Sequence, residues 1–491
     1  MQKRIVLPFA PVLVESTRSI GYSFESALAD IIDNSVGKNA KEVYVYSDSN
    51  CPQYVVIIDN GIGMSSEELE SAMRYGSKSS LDKRDEKDLG RFGLGLKMAS
   101  LSQCRKLTVV TKKESEIFAA RWDIDCIKED GNWVLLWLEP SEIDQLKYIE
   151  KLKNFKSGTL VLWEEFDRLA KDTSVTSVNA ELFDEKIDEA HDHVALVFHR
   201  YIGDENPARR INIFFNNNKV DPIDPFLTTN PGTQPLEERS LYIGNQKIIV
   251  KPYILPYYSK LSSKDKRQIG DNNDIRRFQG FYVYRNRRLI IRGTWFKLIK
   301  QYELSKLARV RVDIPNTLDD IWEIDIKKSA ASLPNSIKQD LKEIVFQAIG
   351  RSKRVFTYRG RKVKDDKIEH TWNIINNRGA IQYLVNRDIP LYRQIEDSLD
   401  ETGQRNLDSF IKMLEDSFPF QDVYNRIAQN PEDIKKGALE FEEAYRIGSD
   451  IVESLKQIGG DIDAFLKSLD SFDFFINYPN VVKKLREDYS K

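Results

Sequence analysis

Long apolar runs are missing from this chain. No stretch approaches the roughly 18–20 uninterrupted apolar residues of a membrane helix, so no membrane partner is expected. Cysteine is scarce: Cys51, Cys104 and Cys126 are too few and too widely spaced for a disulfide framework or a metal knuckle. That usage suits a reducing, cytoplasmic setting. Net charge is lacking too, with 74 basic against 76 acidic residues leaving −2. Whole-chain electrostatics therefore predict neither nucleic-acid binding nor a strongly acidic partner, and any basic patch has to be local. The start, M1-Q-K-R-I-V-L-P-F-A-P-V-L-V14, imitates a signal peptide. Two prolines interrupt it and no A-x-A-like cleavage site follows, so it reads as a packed N-terminal arm.

What is present is a chain of 491 residues, too long for one compact core and read as two to four domains. Phe24, Ala27, Leu28, Ile31, Ile32 and Ser35 recur at three and four, which predicts a helix over 20–36. Strands follow at about 42–46 and 54–58. Ser65 with Glu68 three residues on forms a capping box and opens a short helix. Residues 76–92 are polar and without apolar periodicity, a long loop. Beyond them G90-R-F-G93-L-G95-L-K97 enters a helix through glycine, and strands are expected near 106–111, 116–122, 133–138 and 159–163. From about 205 strands alternate with polar turns, in R210-I-N-I-F-F215, K247-I-I-V250 and G280-F-Y-V-Y-R-N-R-R-L-I-I291, before a helix over Lys338–Ile349. This reads as a second α+β domain. From about 352 the chain is charged, mostly helical in pattern and without a 20–50-residue repeat.

Three stretches carry chemistry. On the first helix Asp30, Asp33 and Asn34 lie three or four apart and share a face. A carboxylate one turn before an amide orients a water or coordinates a divalent cation, although D-x-x-D-N alone fits a solvated face as well. The second strand ends on I57-I58-D59-N60-G61-I62-G63-M64, which by itself is ordinary turn chemistry. The glycines of 90–97 admit close backbone approach to a phosphate at a helix N-terminus. They are not a P-loop, because G-x-x-x-x-G-K-[ST] is absent.

Taken in order, D30-x-x-x-N34 on a helix, D59-N-G-I-G-M64 after a strand, a polar loop, G90-R-F-G-L-G-L-K97 before a helix and S157-G158-T159 opening a strand resemble the GHKL ATPases. That family includes histidine kinases, type II topoisomerases, MutL proteins, heat-shock chaperones and MORC proteins. The resemblance covers roughly residues 15–170 by motif and extends more loosely to about 350. It implies an α+β fold: a Bergerat-type α/β sandwich over 1–200 with an ATP lid at about 64–97, a transducer-like (ribosomal S5-like) α+β domain over 201–350, and a mostly helical domain over 351–491.

It also implies roles. Asp59 accepts from the adenine amino group, with Thr159 helping through water. Gly61 and Gly63 let the base lie against the backbone, and Met64 covers its apolar face. Asn34 holds Mg2+. Gly90, Arg91, Phe92, Gly93, Leu94, Gly95, Leu96 and Lys97 cradle the phosphates of ATP. The family's general base is usually a glutamate where this chain has Asp30, one methylene shorter, so turnover is expected to be slow or assisted by Asp33 or Glu25. In the second domain Lys327 and Lys328 sit where the family places a lysine that reaches the γ-phosphate; strand alternation lets only one of them do so. The boxes look most like the MORC-type branch, including its bacterial members, which implies an ATP-dependent homodimer acting on duplex DNA, as in defence against foreign DNA, or on a partner protein. Basic clusters at R209-R210, R276-R277, R285-N-R-R288 and R351–K364 are the local candidates for phosphate contact. His191 and His193, at i and i+2 on a helix, point apart and read as structural.

Overall fold

The computed structural model describes residues 8–19, 21–50, 52–75, 95–169, 180–301, 305–323, 332–357, 370–377, 380–420, 422–423, 439–457 and 459–489. The chain divides into two compact units, 1–355 and 356–491.

The first unit begins with α1 (Ala10–Arg18) and α2 (Phe24–Gly37). The antiparallel pair β1 (Glu42–Asp48) and β2 (Tyr54–Asp59) follows, then α3 (Ser66–Met73), whose N-cap Ser65 and Glu68 close the expected capping box. After α4 (Gly95–Gln103) come β3 (Cys104–Lys113), β4 (Glu116–Asp123), α5 (Ile124–Asp130), β5 (Leu136–Trp137), α6 (Pro140–Ile143), α7 (Ile149–Lys153), β6 (Gly158–Phe166) and α8 (Ala180–Val197). β7 (Asn212–Phe215) and β8 (Asn218–Lys219) complete an eight-stranded sheet in the order β5-β4-β3-β6-β2-β1-β7-β8.

Both faces of the central strands are buried, which explains why Y54-V-V-I-I58 reads as a continuous apolar run. Val55 and Ile57 join a core with Leu28, Ile32, Met98 and Val194, from the helices α2, α4 and α8. Val56 and Ile58 join a second core with Ile143, Ile149 and Leu152, from α6 and α7.

A second sheet contains β9 (Gln234–Pro235), β10 (Arg239–Ile243), β11 (Gln246–Ile254), β12 (Gly280–Arg285), β13 (Arg288–Thr294) and β14 (Ala308–Ile314), in the order β10-β11-β14-β12-β13 with β9 on β11. β12 and β13 form a hairpin whose two turn residues, Asn286 (φ 47°) and Arg287 (φ 72°), are both left-handed, as a tight primed turn requires. A helix over Lys338–Thr357 closes the unit.

Two sequence expectations shift here. The R210–F215 stretch belongs to the first sheet, where β7 pairs in parallel with β1, so a boundary at 200 cuts that sheet. The two halves also share one core: Tyr253, Tyr282, Tyr284 and Leu289 cluster with residues of the first sheet and its helices. The second unit is mostly helical as expected, with helices Pro390–Ser398, Glu401–Asp416, Phe441–Gln457, Ile462–Ser468 and Pro479–Tyr489. It also holds a hairpin the sequence reading did not anticipate, Trp372–Asn377 with Ala380–Val385. Among the described residues no helix is long and apolar enough to cross a membrane.

Candidate functional site

Strand register builds one end of the site. Asp59, the last residue of β2, stands opposite Thr159 of β6, and Thr159 stands opposite Thr111 of β3. Three polar side-chain positions thus share one row across adjacent strands. The Asp59 carboxylate is buried and accepts from the Ser35 hydroxyl of α2 and the Gly61 N–H, each at 2.8 Å. Burial pushes its pKa up to about 6, although hydrogen bonds from Gly61, Ser35 and the Thr159 backbone oppose the rise. Thr111 Oγ1 accepts from the Met64 N–H at 2.7 Å, and the Ser157 hydroxyl donates to the Gly61 carbonyl at 2.6 Å.

The glycines here are sterically required. Gly63 has φ +65°, and a β-carbon there would lie 2.1 Å from the Lys112 carbonyl oxygen. One on Gly158 would lie 2.1 Å from the Asp59 carbonyl oxygen, and one on Gly61 would press on Asp59 Oδ1 at 2.9 Å. Met64 is half-buried against the core. The carboxylate of Asp59 is thus walled by backbone that leaves no room for a β-carbon at Gly61 or Gly63.

The other end is set by α2 and the start of α4. Asp30 and Asp33 are both buried, so the D-x-x-D-N face is not a solvated one; Asn34 beside them is exposed. Tyr22 donates its hydroxyl to Asp30 Oδ2 at 3.0 Å. A β-carbon on Gly95, the first residue of α4, would lie 3.6 Å from that same oxygen. The helix opening and the carboxylate are thus neighbours. Asp30 and the exposed Asn34 are one turn apart on α2, and that oxygen-rich pair fits a hard divalent cation such as Mg2+.

Asp33 is committed elsewhere. Arg288, from the β12–β13 hairpin, donates its Nε–H to Asp33 Oδ1 at 3.0 Å across 255 residues of sequence, and its other nitrogen lies 3.8 Å from Asp30 Oδ1. Asp33 is therefore an ion-pair partner of Arg288. Glu25 lines a cavity of about 520 Å³ with Glu189, His193 and Arg292.

Several expectations meet a different outcome. The basic cluster R285-N-R-R288 is not a free patch for phosphates: Arg285 is buried on both carboxylate oxygens of Asp319 (2.8 and 2.9 Å), Arg287 pairs with Asp204 at 2.6 Å, and Arg288 holds Asp33. Each arginine has an acid within reach of the fold, which consumes its charge. Lys97 is buried and turns its ammonium to carbonyls at the end of α3, Ala72 at 2.7 Å and Arg74 at 2.9 Å. Burial lowers its pKa to about 8. His191 packs edge-on to Phe215, while His193 feels Arg288 and Arg292; burial first, then those arginines, lowers its pKa to about 4. No metal-holding cluster of histidine, cysteine and acids occurs among the described residues. Gly90 to Leu94, Lys327, Lys328 and residues 358–364 lie outside the described residues.

Ser35, Thr111, Tyr22 and Arg288 were not singled out from sequence. Ser35 was visible only as part of the helical repeat, and Thr111 only once strand register was known.

Comparison with known proteins bears on the same segment. Residues 22–159 match the family described as histidine kinase-, DNA gyrase B-, and HSP90-like ATPase. The chain is 33% identical to the ATPase morc-1 of Caenorhabditis elegans over 95 residues, 19% of this chain and 11% of that protein. It is 24% identical to the DNA mismatch repair protein MutL of a Bradyrhizobium species over 102 residues, 21% of this chain and 16% of that protein. The chain thus matches only a small part of the length of these relatives.

Proposed function

We propose that this chain, whose residues 22–159 match the GHKL-type ATPase family and fit its MORC-like branch, is a nucleotide-driven clamp that binds ATP between Asp59 and Asp30 and hydrolyses it. The observation that carries the reading is the pairing of the two ends. A buried carboxylate on a glycine-walled strand end suits the adenine amino group, and a second buried carboxylate beside a helix N-terminus suits the phosphates.

Asp59 accepts from the adenine amino group, with Thr159 assisting, and Met64 lies on the base. Asn34 holds Mg2+, which supplies charge compensation for the phosphates. Asp30 accepts a proton from water as the water oxygen bonds to the γ-phosphorus and the bond to the β-phosphate oxygen breaks, giving ADP and phosphate. The segment 90–96 and one of Lys327 and Lys328 complete the phosphate contacts. Closure over ATP joins two copies of the chain.

DNA is the proposed partner, through the basic run Arg351–Lys364, with affinity falling steeply as salt rises. A protein-binding switch with little turnover is the second reading, favoured by the short side chain of Asp30 and its engagement by Tyr22. Steady-state turnover, with elution as a dimer only in a non-hydrolysable ATP analogue and with or without duplex DNA, separates the two. Glutamate at Arg359, Arg361 and Lys362 should weaken DNA binding and leave basal turnover near normal. No DNA affinity at low salt would leave the protein-binding switch in place.

A further inference from the structure

The three arginines of the β12–β13 turn divide their labour. Arg285 is tied within its own half to Asp319, and Arg287 to Asp204 in the segment between α8 and β7. Arg288 alone reaches α2, where it lies within 4 Å of both acids: 2.9 Å from Asp33 Oδ2 and 3.8 Å from Asp30 Oδ1. Arginine and acids are all almost fully buried, with side-chain exposures of 3% for Arg288, 3% for Asp30 and 1% for Asp33. Its side chain passes the Phe198 ring, and its Nη1 donates to the Leu289 carbonyl at 3.2 Å, so the guanidinium has little freedom to turn away.

The turn itself is anchored. Tyr201 donates its hydroxyl to the Asn286 carbonyl, and Arg287 stacks over the Tyr201 ring. A rigid hairpin tip from the second sheet therefore delivers one fixed charge to the helix that carries Asp30.

We propose that Arg288 is a positioning residue for the α2 carboxylates: it fixes the place of Asp30 through Asp33, so that seating of the β12–β13 hairpin and readiness of α2 for nucleotide chemistry are one event. The inference rests on the reading of Asp30 as the group that handles the attacking water. A guanidinium hydrogen-bonded to Asp33 and lying 3.8 Å from Asp30 one turn away resists rotation of that turn, and an extended planar cation does this better than a point charge. An uncompensated charge would remain if either partner were removed alone, so the informative variant removes both charges.

The test uses the full chain carrying Asp33→Asn with Arg288→Gln, and separately Arg288→Lys. The double variant should lose about 100-fold in kcat. Its KM for ATP and its calorimetric affinity for a non-hydrolysable analogue should stay within about twofold. Arg288→Lys, which keeps the pairing with Asp33 but not the fork, should recover part of the loss. Hydrogen exchange over residues 280–294 gives a readout independent of turnover. Analogue binding should protect the hairpin in the unsubstituted chain and leave it unchanged in the double variant. Loss of analogue binding along with kcat would overturn the proposal, since Arg288 would then only support the pocket. Unaltered turnover, or an unsubstituted hairpin blind to the analogue, would overturn it as well. If the unsubstituted chain binds the analogue and never turns over, the ATPase reading fails; loss of hairpin protection in the double variant would still establish the coupling.

Discussion

The two ends of the proposed site, one around Asp59 and one around Asp30, are put together differently. At the first, Asp59 is satisfied by Ser35 and Gly61, and the walls are the backbone of β3, β6 and the turn after β2, held apart by glycines that admit no β-carbon. All of it comes from within residues 35–159. At the second, the acids of α2 are held by an arginine that lies 255 residues further on. One end is a local steric device. The other is an agreement between distant parts of the chain, and so is conditional on how those parts sit. Recognition of the base is accordingly expected to survive changes that stop chemistry.

The sharpest break of that contrast is Asp30→Ala. Turnover should fall by about 10²–10⁴-fold while nucleotide affinity changes little, because a positioned proton acceptor contributes about that much. Turnover at the unsubstituted rate would move the base to another residue. Gly63→Ala attacks the opposite end. A left-handed φ and a β-carbon 2.1 Å from the Lys112 oxygen should cost about 1–3 kcal/mol and displace the turn, lowering adenine-nucleotide affinity measured by calorimetry.

Asp59→Asn sharpens the comparison by moving two quantities in opposite directions. The lost acceptor should weaken ATP binding more than about tenfold, from a charged hydrogen bond of about 1.5–3 kcal/mol. Stability should move the other way. Asp59 has its folded pKa raised from 3.8 to about 6, so the folded state binds the extra proton between those values. The favourable contribution is fully present below pH 3.8 and is lost as pH rises to about 6, leaving a buried charge at pH 7. The nucleotide-free asparagine variant should therefore melt higher than the parent at pH 7, and the difference should shrink toward pH 4. A lower melting temperature at pH 7 would place the carboxylate in a solvated setting.

Smallest is Lys97→Met. Two carbonyls of the α3 end lose a donor worth about 1 kcal/mol net, a fall in Tm of about 2 °C. Because burial lowers the lysine pKa from 10.5 to about 8, the unfolded chain binds more protons in that window. The parent should therefore gain stability as pH rises from 8 toward 10.5, and the methionine variant should not show that gain.

Much of the adenine end was legible because its requirements are local. A strand that must stop, two glycines one apart and an acid form a short word, and the helix over 20–36 and the box at Ser65 and Glu68 are spelled by periods of three and four. Thr111 was not legible as a partner, since a one-residue change of strand register would replace it, and Ser35 meets Asp59 only through the packing of α2 on β2. Arg288 looked like a member of a surface cluster; its partner acid is invisible until the two sheets share a core. The β7 strand was read correctly as a strand and placed in the wrong sheet. Its parallel pairing with β1 joins segments about 170 residues apart, which no local pattern encodes.

The place of Lys97 has a mechanical consequence. It stands just after the segment 76–94 and bonds carbonyls just before it, at Ala72 and Arg74. Whatever path the chain takes between Tyr75 and Gly95, it leaves and returns at two feet tied together by one ammonium. The entropy of bringing those feet together, which grows as about (3/2)RT ln n with the length of the span, is already met by the resting fold.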